Sequence, residues 1–387
     1  MTNFLADNEK SKDLSRLLDI SMDMIEKTDL GSLLGLIMEE ATRTMHADRS
    51  TLYLIDRVRN ERISFIAQQS EIKEIRLPFG TGIAGYVAKL GNTVNIGDAY
   101  KSPLFNKDTD IQTGYSTRTV LCVPMKNREG EIIGVLQVLN KKTGIFTEYD
   151  EWLFTTYANY AATAIENARL HEEREKTFLS AIKALAAAID RRDPVTAGHS
   201  ERVARLSVDI GKSLGLSKNE LKMLNYAAIL HDVGKIGVKD TILLKPGEFT
   251  PEERNEMNKH VLYTKEILEE VYFTKDFKLI PSIAAMHHER LDGTGYPYNL
   301  NAEQLNILGR IIAVADIFDA LVSYDRPYKQ VFSLSEALDI IKDEAEKKHL
   351  DAHIVKIFLD EKLYLRSTFP GIGNADYRHE RLHADRI

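Results

Sequence analysis

The run His231-Asp232-Val233-Gly234-Lys235 closes an apolar-periodic segment that starts at Leu221, and the spacing predicts a helix through Lys235. An adjacent His-Asp pair sets an imidazole beside a carboxylate, donors that suit a hard or borderline divalent metal. Lys235, four residues after His231, falls on roughly the same helical face. Two donors do not make a metal site, and the chain supplies more: His199 before the pair, and His260, His287, His288 and Asp316 after it. A single histidine on an apolar face is usually a satisfied core residue. The doublets His231-Asp232 and His287-His288 resist that reading, because neighbouring helical positions point about 100° apart and cannot both face one core.

The chain around these residues is 387 residues long, enough for two or three domains of roughly 150 residues each. Its 43% apolar and 28% charged content is that of a globular protein. A net charge of -7 gives no global reason to expect a nucleic-acid polymer as partner, while local basic positions remain open to a small anionic ligand. The single cysteine, Cys122, rules out an internal disulfide and lies in a β-like run, where it reads as a small buried residue. Met1 to Lys12 shows no signal-peptide core, and no apolar run approaches the ~20 residues that span a bilayer. The expectation is a cytoplasmic protein that does not contact the membrane.

Residues 8–46 read as helix, with Gly31 as the break. Residues 50–56 and 61–67 read as a strand and its hairpin partner, and Arg76 to Phe79 as a short strand. Residues 118–126 and 131–140 form a hairpin around Asn127-Arg128-Glu129-Gly130. The first 150 residues are therefore α+β with an antiparallel sheet. From Asp150 to Arg192 there is neither Pro nor Gly, and so long a helical pattern suggests a coiled coil or stalk; two packed helices are the alternative. The domain boundary is expected in the charged run His171 to Lys176. Beyond Asp193-Pro194 the pattern is nearly all helical, and the polar tail from Phe369 leaves His379 and His383 as solvated residues.

Gly80-Thr81-Gly82-Ile83-Ala84-Gly85 matches G-x-G-x-x-G, but the antiparallel surroundings argue for a strand-to-helix turn rather than a dinucleotide fingerprint. Together with Tyr86-Val87, Asn95-Ile96, the stretch from Tyr115 to Pro124 and the strand Gly134 to Lys141, this segment resembles the GAF family over about residues 14–170. Asn140-Lys141, Phe146 and Asp150-Glu151 look like the signature of GAF domains that bind cyclic nucleotides, and they read as a structural clasp more than as pocket contacts. The resemblance implies either a pocket for a cyclic nucleotide or other small ligand, or a ligand-free domain used for dimerisation.

The second motif, His287-His288-Glu289-Arg290-Leu291-Asp292-Gly293-Thr294-Gly295-Tyr296-Pro297, joins His231-Asp232 and Lys235 in a pattern that resembles the HD-GYP family over about residues 180–365. Thr196 to Val203, Asp316 to Leu321 and Arg326-Pro327-Tyr328-Lys329 fit its other segments. Members hydrolyse cyclic dinucleotides, chiefly cyclic di-GMP, with iron or manganese. The resemblance implies His199, His231, Asp232, His260, His287, His288 and Asp316 as metal ligands, with Asp232 shared. So many nitrogen and oxygen donors suit two metals about 3.5–4 Å apart better than one, and imidazole with carboxylate favours iron, then manganese. Members with a third metal carry Glu four residues before the first ligand; Val195 stands there, so two metals are expected. The implied reaction is in-line attack of water on phosphorus. Lys235 would serve the leaving oxygen or the phosphate charge, and Arg326 and Lys329 would hold the other phosphate. Asp292, Gly295 and Tyr296 would form part of the substrate loop, which could also dock a partner protein.

The expected organisation is multidomain: an N-terminal segment 1–13, an α+β GAF domain 14–170, a connecting helix 150–192 overlapping both neighbours, an all-α HD-GYP domain 180–365 and a tail 366–387. The stalk favours a homodimer in which the GAF domain regulates hydrolysis of cyclic di-GMP to pGpG or GMP. A module that binds the dinucleotide and signals through contacts is the alternative. A mononucleotidase of the HD superfamily is disfavoured by the Gly-Tyr-Pro loop.

Overall fold

A computed structural model of the chain describes residues 2–27, 29–56, 61–68, 71–78, 82–107, 110–111, 114–192, 198–323 and 332–366. It divides between Glu175 and Lys176 into two compact units.

The first unit opens with α1 (Thr2–Glu26) and α2 (Leu30–Thr44). The single helix expected over 8–46 is thus two. The break precedes Gly31: Asp29 caps the second helix by accepting the Ser32 N–H at 2.8 Å, which places Gly31 inside its first turn. Then come β1 (Ala47–Asp56), β2 (Glu61–Gln68), β3 (Glu71–Pro78), α3 (Gly82–Leu90), β4 (Val94–Ile96), β5 (Val120–Lys126) and β6 (Ile132–Lys141). β3 is twice the length expected, and β4 carries too few residues to show an alternation in sequence. The sheet order is β3-β2-β1-β6-β5-β4, with every pairing antiparallel. Gly82 takes φ +69° at the head of α3, so the glycine run serves a strand-to-helix turn with no βαβ unit; Gly80 and Thr81 lie outside the described residues.

Period-two alternation explains the two layers on this sheet. Leu121, Val123 and Met125 of β5 pack with α2 and with α4 (Glu148–Arg192), whereas Val120 and Cys122 face α3. Asn140, at φ +55°, ties strand to loop. Its Oδ1 accepts the Arg118 and Thr119 N–H groups at 2.6 and 3.3 Å, and its Nδ2 donates to Tyr115 Oη and Ser116 O at 2.8 Å each. Lys141 pairs with Asp150, which also accepts the Thr147 N–H at 2.7 Å and so caps α4. Phe146 is buried beside them, and the Glu151 N–H bonds to Thr147 O at 3.0 Å. All of these contacts are internal to the fold.

α4 is one uninterrupted helix of 45 residues, which removes the alternative of two packed helices. In the second unit follow α5 (His199–Ser213), α6 (Lys218–Leu230), α7 (Asp240–Leu243), α8 (Pro251–Asn258), α9 (His260–Glu269), α10 (Ile280–Ala284), α11 (Ile307–Val322), α12 (Leu334–Glu346) and α13 (Ala352–Asp360). Apolar faces of α5, α6, α10, α11 and α13 meet in one core. No helix among the described residues is long and apolar enough to cross a membrane.

Burial opposes charge on Asp150, but the Lys141 ammonium and the Thr147 N–H offset it and hold the carboxyl below its ordinary value. A depressed folded-state pKa contributes stability above the unfolded value of about 3.9 and loses it as pH falls through the folded value. Asp150→Asn is therefore expected to destabilise the first unit at pH 7 and to make little difference near pH 2. Urea unfolding of both proteins across that range checks this; a difference that does not shrink in acid would contradict it.

Candidate metal centre

The helix expected to run through Lys235 stops at Leu230, and Val233–Gly237 forms a 3-10 turn. Thr264 of α9 is the cause. Its hydroxyl donates to the His231 carbonyl at 3.0 Å and accepts the Gly234 N–H at 2.9 Å, so the carbonyl that would continue the helix is taken. The approach is close enough that a Cβ on Gly234 would lie 2.0 Å from the His260 carbonyl. The Lys235 N–H turns to Asp232 O at 3.0 Å, and its ammonium stands 2.6 Å from Asp232 Oδ2.

The other donors converge from the ends of helices and, for Asp316, from the interior of one. His199 begins α5, His260 begins α9, His287 and His288 follow α10, and Asp316 lies within α11. Asp232 is 6% exposed and stands between two groups. Its Oδ2 lies 3.4 Å from His231 Nε2 and 3.9 Å from His199 Nε2; its Oδ1 lies 3.4 Å from His260 Nε2 and 3.8 Å from His287 Nε2. Asp316 Oδ1 is 3.1 Å from His199 Nε2 and 3.7 Å from His231 Nε2. Three sets of ligand atoms are each drawn within 4.8 Å: His199, His231 and Asp316; His231, Asp232 and His287; and His260, His287 and His288.

The chemistry of these atoms fits divalent cations. The Nδ1 atoms of His231, His260 and His287 each lie 2.7 Å from the carbonyl three residues earlier, which places the proton on Nδ1. Their buried Nε2 atoms then present lone pairs inward and have no hydrogen-bond partner. Buried polar atoms are nearly always satisfied, so three orphaned lone pairs around a carboxylate mark a site for a cation. Among these donors there is no thiolate, which points away from a zinc site of the cysteine type.

Electrostatics divide the cluster. Burial disfavours charge on Asp232 and Asp316, yet Lys235 for the first and His199 for the second hold both carboxyls well below the ordinary range. Burial opposes charge on His199 too, but Asp316 and Asp319 raise it to about 10. His288 is lowered to about 3 by burial and then by His260, and His287 is lowered for the same kind of reason.

Two residues with no assigned role in the sequence support His199. Asp319 Oδ2 lies 2.6 Å from its Nδ1, and Arg202 holds that carboxylate with Nε at 2.6 Å and Nη2 at 3.0 Å. Each sits three residues after a candidate ligand, Arg202 after His199 and Asp319 after Asp316, and a helical face would have linked them. Tyr296 packs its ring 4.8 Å from that of His288, and Gly295 lies against the backbone of Glu289 and Arg290. Buried Glu289 accepts the N–H groups of Tyr298 and Leu300 at 2.7 and 3.0 Å and so shapes this loop. Within the same loop Asp292 accepts the Thr294 N–H and hydroxyl at 2.9 and 2.7 Å and faces His349 Nε2 at 3.6 Å. Arg326, Lys329 and Val195 lie outside the described residues.

A helical domain with clustered histidine and aspartate side chains defines a class, and the family models make it specific. Residues 183–354 match the model of the HD domain, and residues 29–165 that of the GAF domain. The chain carries a GAF domain followed by an HD domain of the HD-GYP kind. It is 41% identical over 177 residues, 46% of its own length and 38% of the other, to the 3'3'-cGAMP-specific phosphodiesterase 3 of Vibrio cholerae. To the cyclic di-GMP phosphodiesterase response regulator RpfG of Xanthomonas campestris it is 42% identical, covering 43% of each chain. To a cyclic di-GMP phosphodiesterase of Thermotoga maritima it is 37% identical, covering 58% of this chain and 55% of that one. The chain therefore spans 38–55% of the length of these relatives.

A carboxylate behind a ligating histidine typically changes metal affinity about 10- to 100-fold. Asp319→Asn is expected to weaken retention of manganese by that factor, measured by competition with a chelator. An unchanged affinity would show that Asp319 does not act through His199.

Proposed function

We propose that the chain is a metal-dependent phosphodiesterase of cyclic dinucleotides, with cyclic di-GMP as substrate and pGpG or GMP as product. The observation that carries this reading is the placement of Asp232, one carboxylate oxygen facing each of two histidine groups. His199, His231 and Asp316 would hold one cation and His260, His287 and His288 a second, with Asp232 shared; iron is the first expectation and manganese the next. Such metals, when bound, polarise a phosphoryl oxygen and make a water acidic enough to supply a nucleophile near neutral pH.

The chain's own groups do the rest. Lys235, held by Asp232 at 2.6 Å, stands where it can give a proton to the leaving oxygen or offset charge on the phosphate. Its half-buried setting makes that interaction stronger than it would be in water. The Tyr296 ring, set by His288 and by the loop around Glu289, offers a face on which a base can stack. Arg326 and Lys329 would bind the second phosphate, which Arg can engage through two parallel hydrogen bonds. The GAF domain would bind a cyclic nucleotide or another small ligand and act through α4, in a homodimer. The relatives' activities, on cyclic di-GMP and on 3'3'-cGAMP, support the substrate class.

The full chain, loaded with iron or manganese, is expected to hydrolyse cyclic di-GMP, and Asp232→Ala to abolish that hydrolysis. Chromatography of products from cyclic di-GMP and cyclic GMP-AMP reads the result. Absence of turnover of either by the loaded protein would replace this proposal with a module that binds and signals through contacts. Because Val195 offers no donor, metal analysis after anaerobic iron loading is expected to give two ions per chain; a reproducible three would contradict the two-metal site.

A further inference from the structure

Arg192 is the last residue of the 45-residue helix α4, and its guanidinium is directed at the turn that carries Lys235. Nη1 donates to the carbonyls of Lys235 and Ile236 at 2.9 and 2.6 Å. Nη2 donates to the Val238 carbonyl at 2.8 Å and to Asp240 Oδ1 at 2.7 Å, and Nε reaches the same carboxylate oxygen at 3.2 Å. The Lys235 carbonyl also accepts the Val238 N–H at 3.1 Å, which closes the turn, and a cation there meets the negative end of the local dipole. A guanidinium has five N–H groups in a rigid fork; a lysine ammonium has three and no fork. The start of the same turn is held separately, by Thr264 at His231 O and Gly234 N. The backbone of Lys235 is thus fixed at both ends of the turn, once by α9 and once by the terminus of α4.

We propose that Arg192 is a positioning residue for Lys235: it fixes the backbone from which the Lys235 ammonium reaches Asp232 and the substrate phosphate. The inference rests on the phosphodiesterase reading above and adds a residue to it. It also gives the connecting helix a direct route to the chemistry, because displacement of its last turn carries the Lys235 carbonyl with it. Asp240, 69% exposed, is the outer anchor of the same guanidinium and contributes less.

The test uses the full, metal-loaded chain with Arg192→Lys, Arg192→Ala and Lys235→Ala, alone and combined. A misplacement of about 1 Å at a reacting group can cost on the order of 100-fold, so Arg192→Lys is expected to lower kcat for cyclic di-GMP by about tenfold or more. KM and metal content are expected to stay at the wild-type level. In the Lys235→Ala background the same substitution is expected to change nothing further, since the residue it positions is gone. Amide exchange across Val233–Val238 is expected to speed up in Arg192→Lys, a readout that needs no turnover. Arg192→Lys keeps the long stem and charge, so it carries the test where Arg192→Ala fails to fold. Additive losses in the two backgrounds, loss of metal, or unchanged exchange would each overturn the proposal. If the wild type is inert on cyclic dinucleotides, the phosphodiesterase reading fails, and the exchange measurement still decides whether Arg192 fixes this turn.

Discussion

A single carboxylate, that of Asp232, sets the terms for the second unit. Withdrawing an ionised carboxylate from water costs several kcal/mol unless cations and hydrogen bonds replace the solvent. Here Lys235 supplies one such cation at 2.6 Å from its own turn, and His231, His260 from α9 and His287 from the segment after α10 set lone pairs around the same carboxylate, where bound cations would supply the rest. Each of the three histidines has its Nδ1 engaged by a local carbonyl, so its ring is oriented before any ligand arrives. The helices of this unit are therefore arranged so that their ends, where backbone and side chain can both be fixed, meet at one buried charge.

The supports behind that charge differ in kind. Thr264 uses one hydroxyl to stop a helix and pin a turn. Arg202 and Asp319 form a buried pair, and its Asp319 carboxylate carries the Nδ1 contact of His199. Removing one member of such a pair leaves the other uncompensated, so these residues are less replaceable than their distance from the chemistry suggests. Arg192 does for the end of the Lys235 turn what Thr264 does for its start.

The two-domain plan, the antiparallel sheet and the long helix were legible because each leaves a periodic or compositional mark: alternation in β5 and β6, and an unbroken run without Gly or Pro in α4. The clustered ligands were legible through two adjacent doublets. Two kinds of feature were not. β4 has three residues, too few for alternation, and the Asp29 cap that separates α1 from α2 looked less like a breaker than Gly31 did. The end of α6 depends on Thr264, thirty residues beyond Gly234, and no local pattern announces a hydroxyl that competes for a carbonyl across the fold. Asp292 bonds within its own loop to Thr294 and faces His349, contacts that its motif does not announce. Spacing gives the residues of a motif but not the direction of each side chain.

The central claim is that Asp232 serves two cations at once, and the most direct measurement of it is magnetic. Mössbauer spectroscopy of the full chain loaded anaerobically with iron and then oxidised is predicted to show a pair of irons coupled through a shared bridge, with the coupling lost in Asp232→Ala. A spectrum of isolated, uncoupled iron in the wild type would contradict the account.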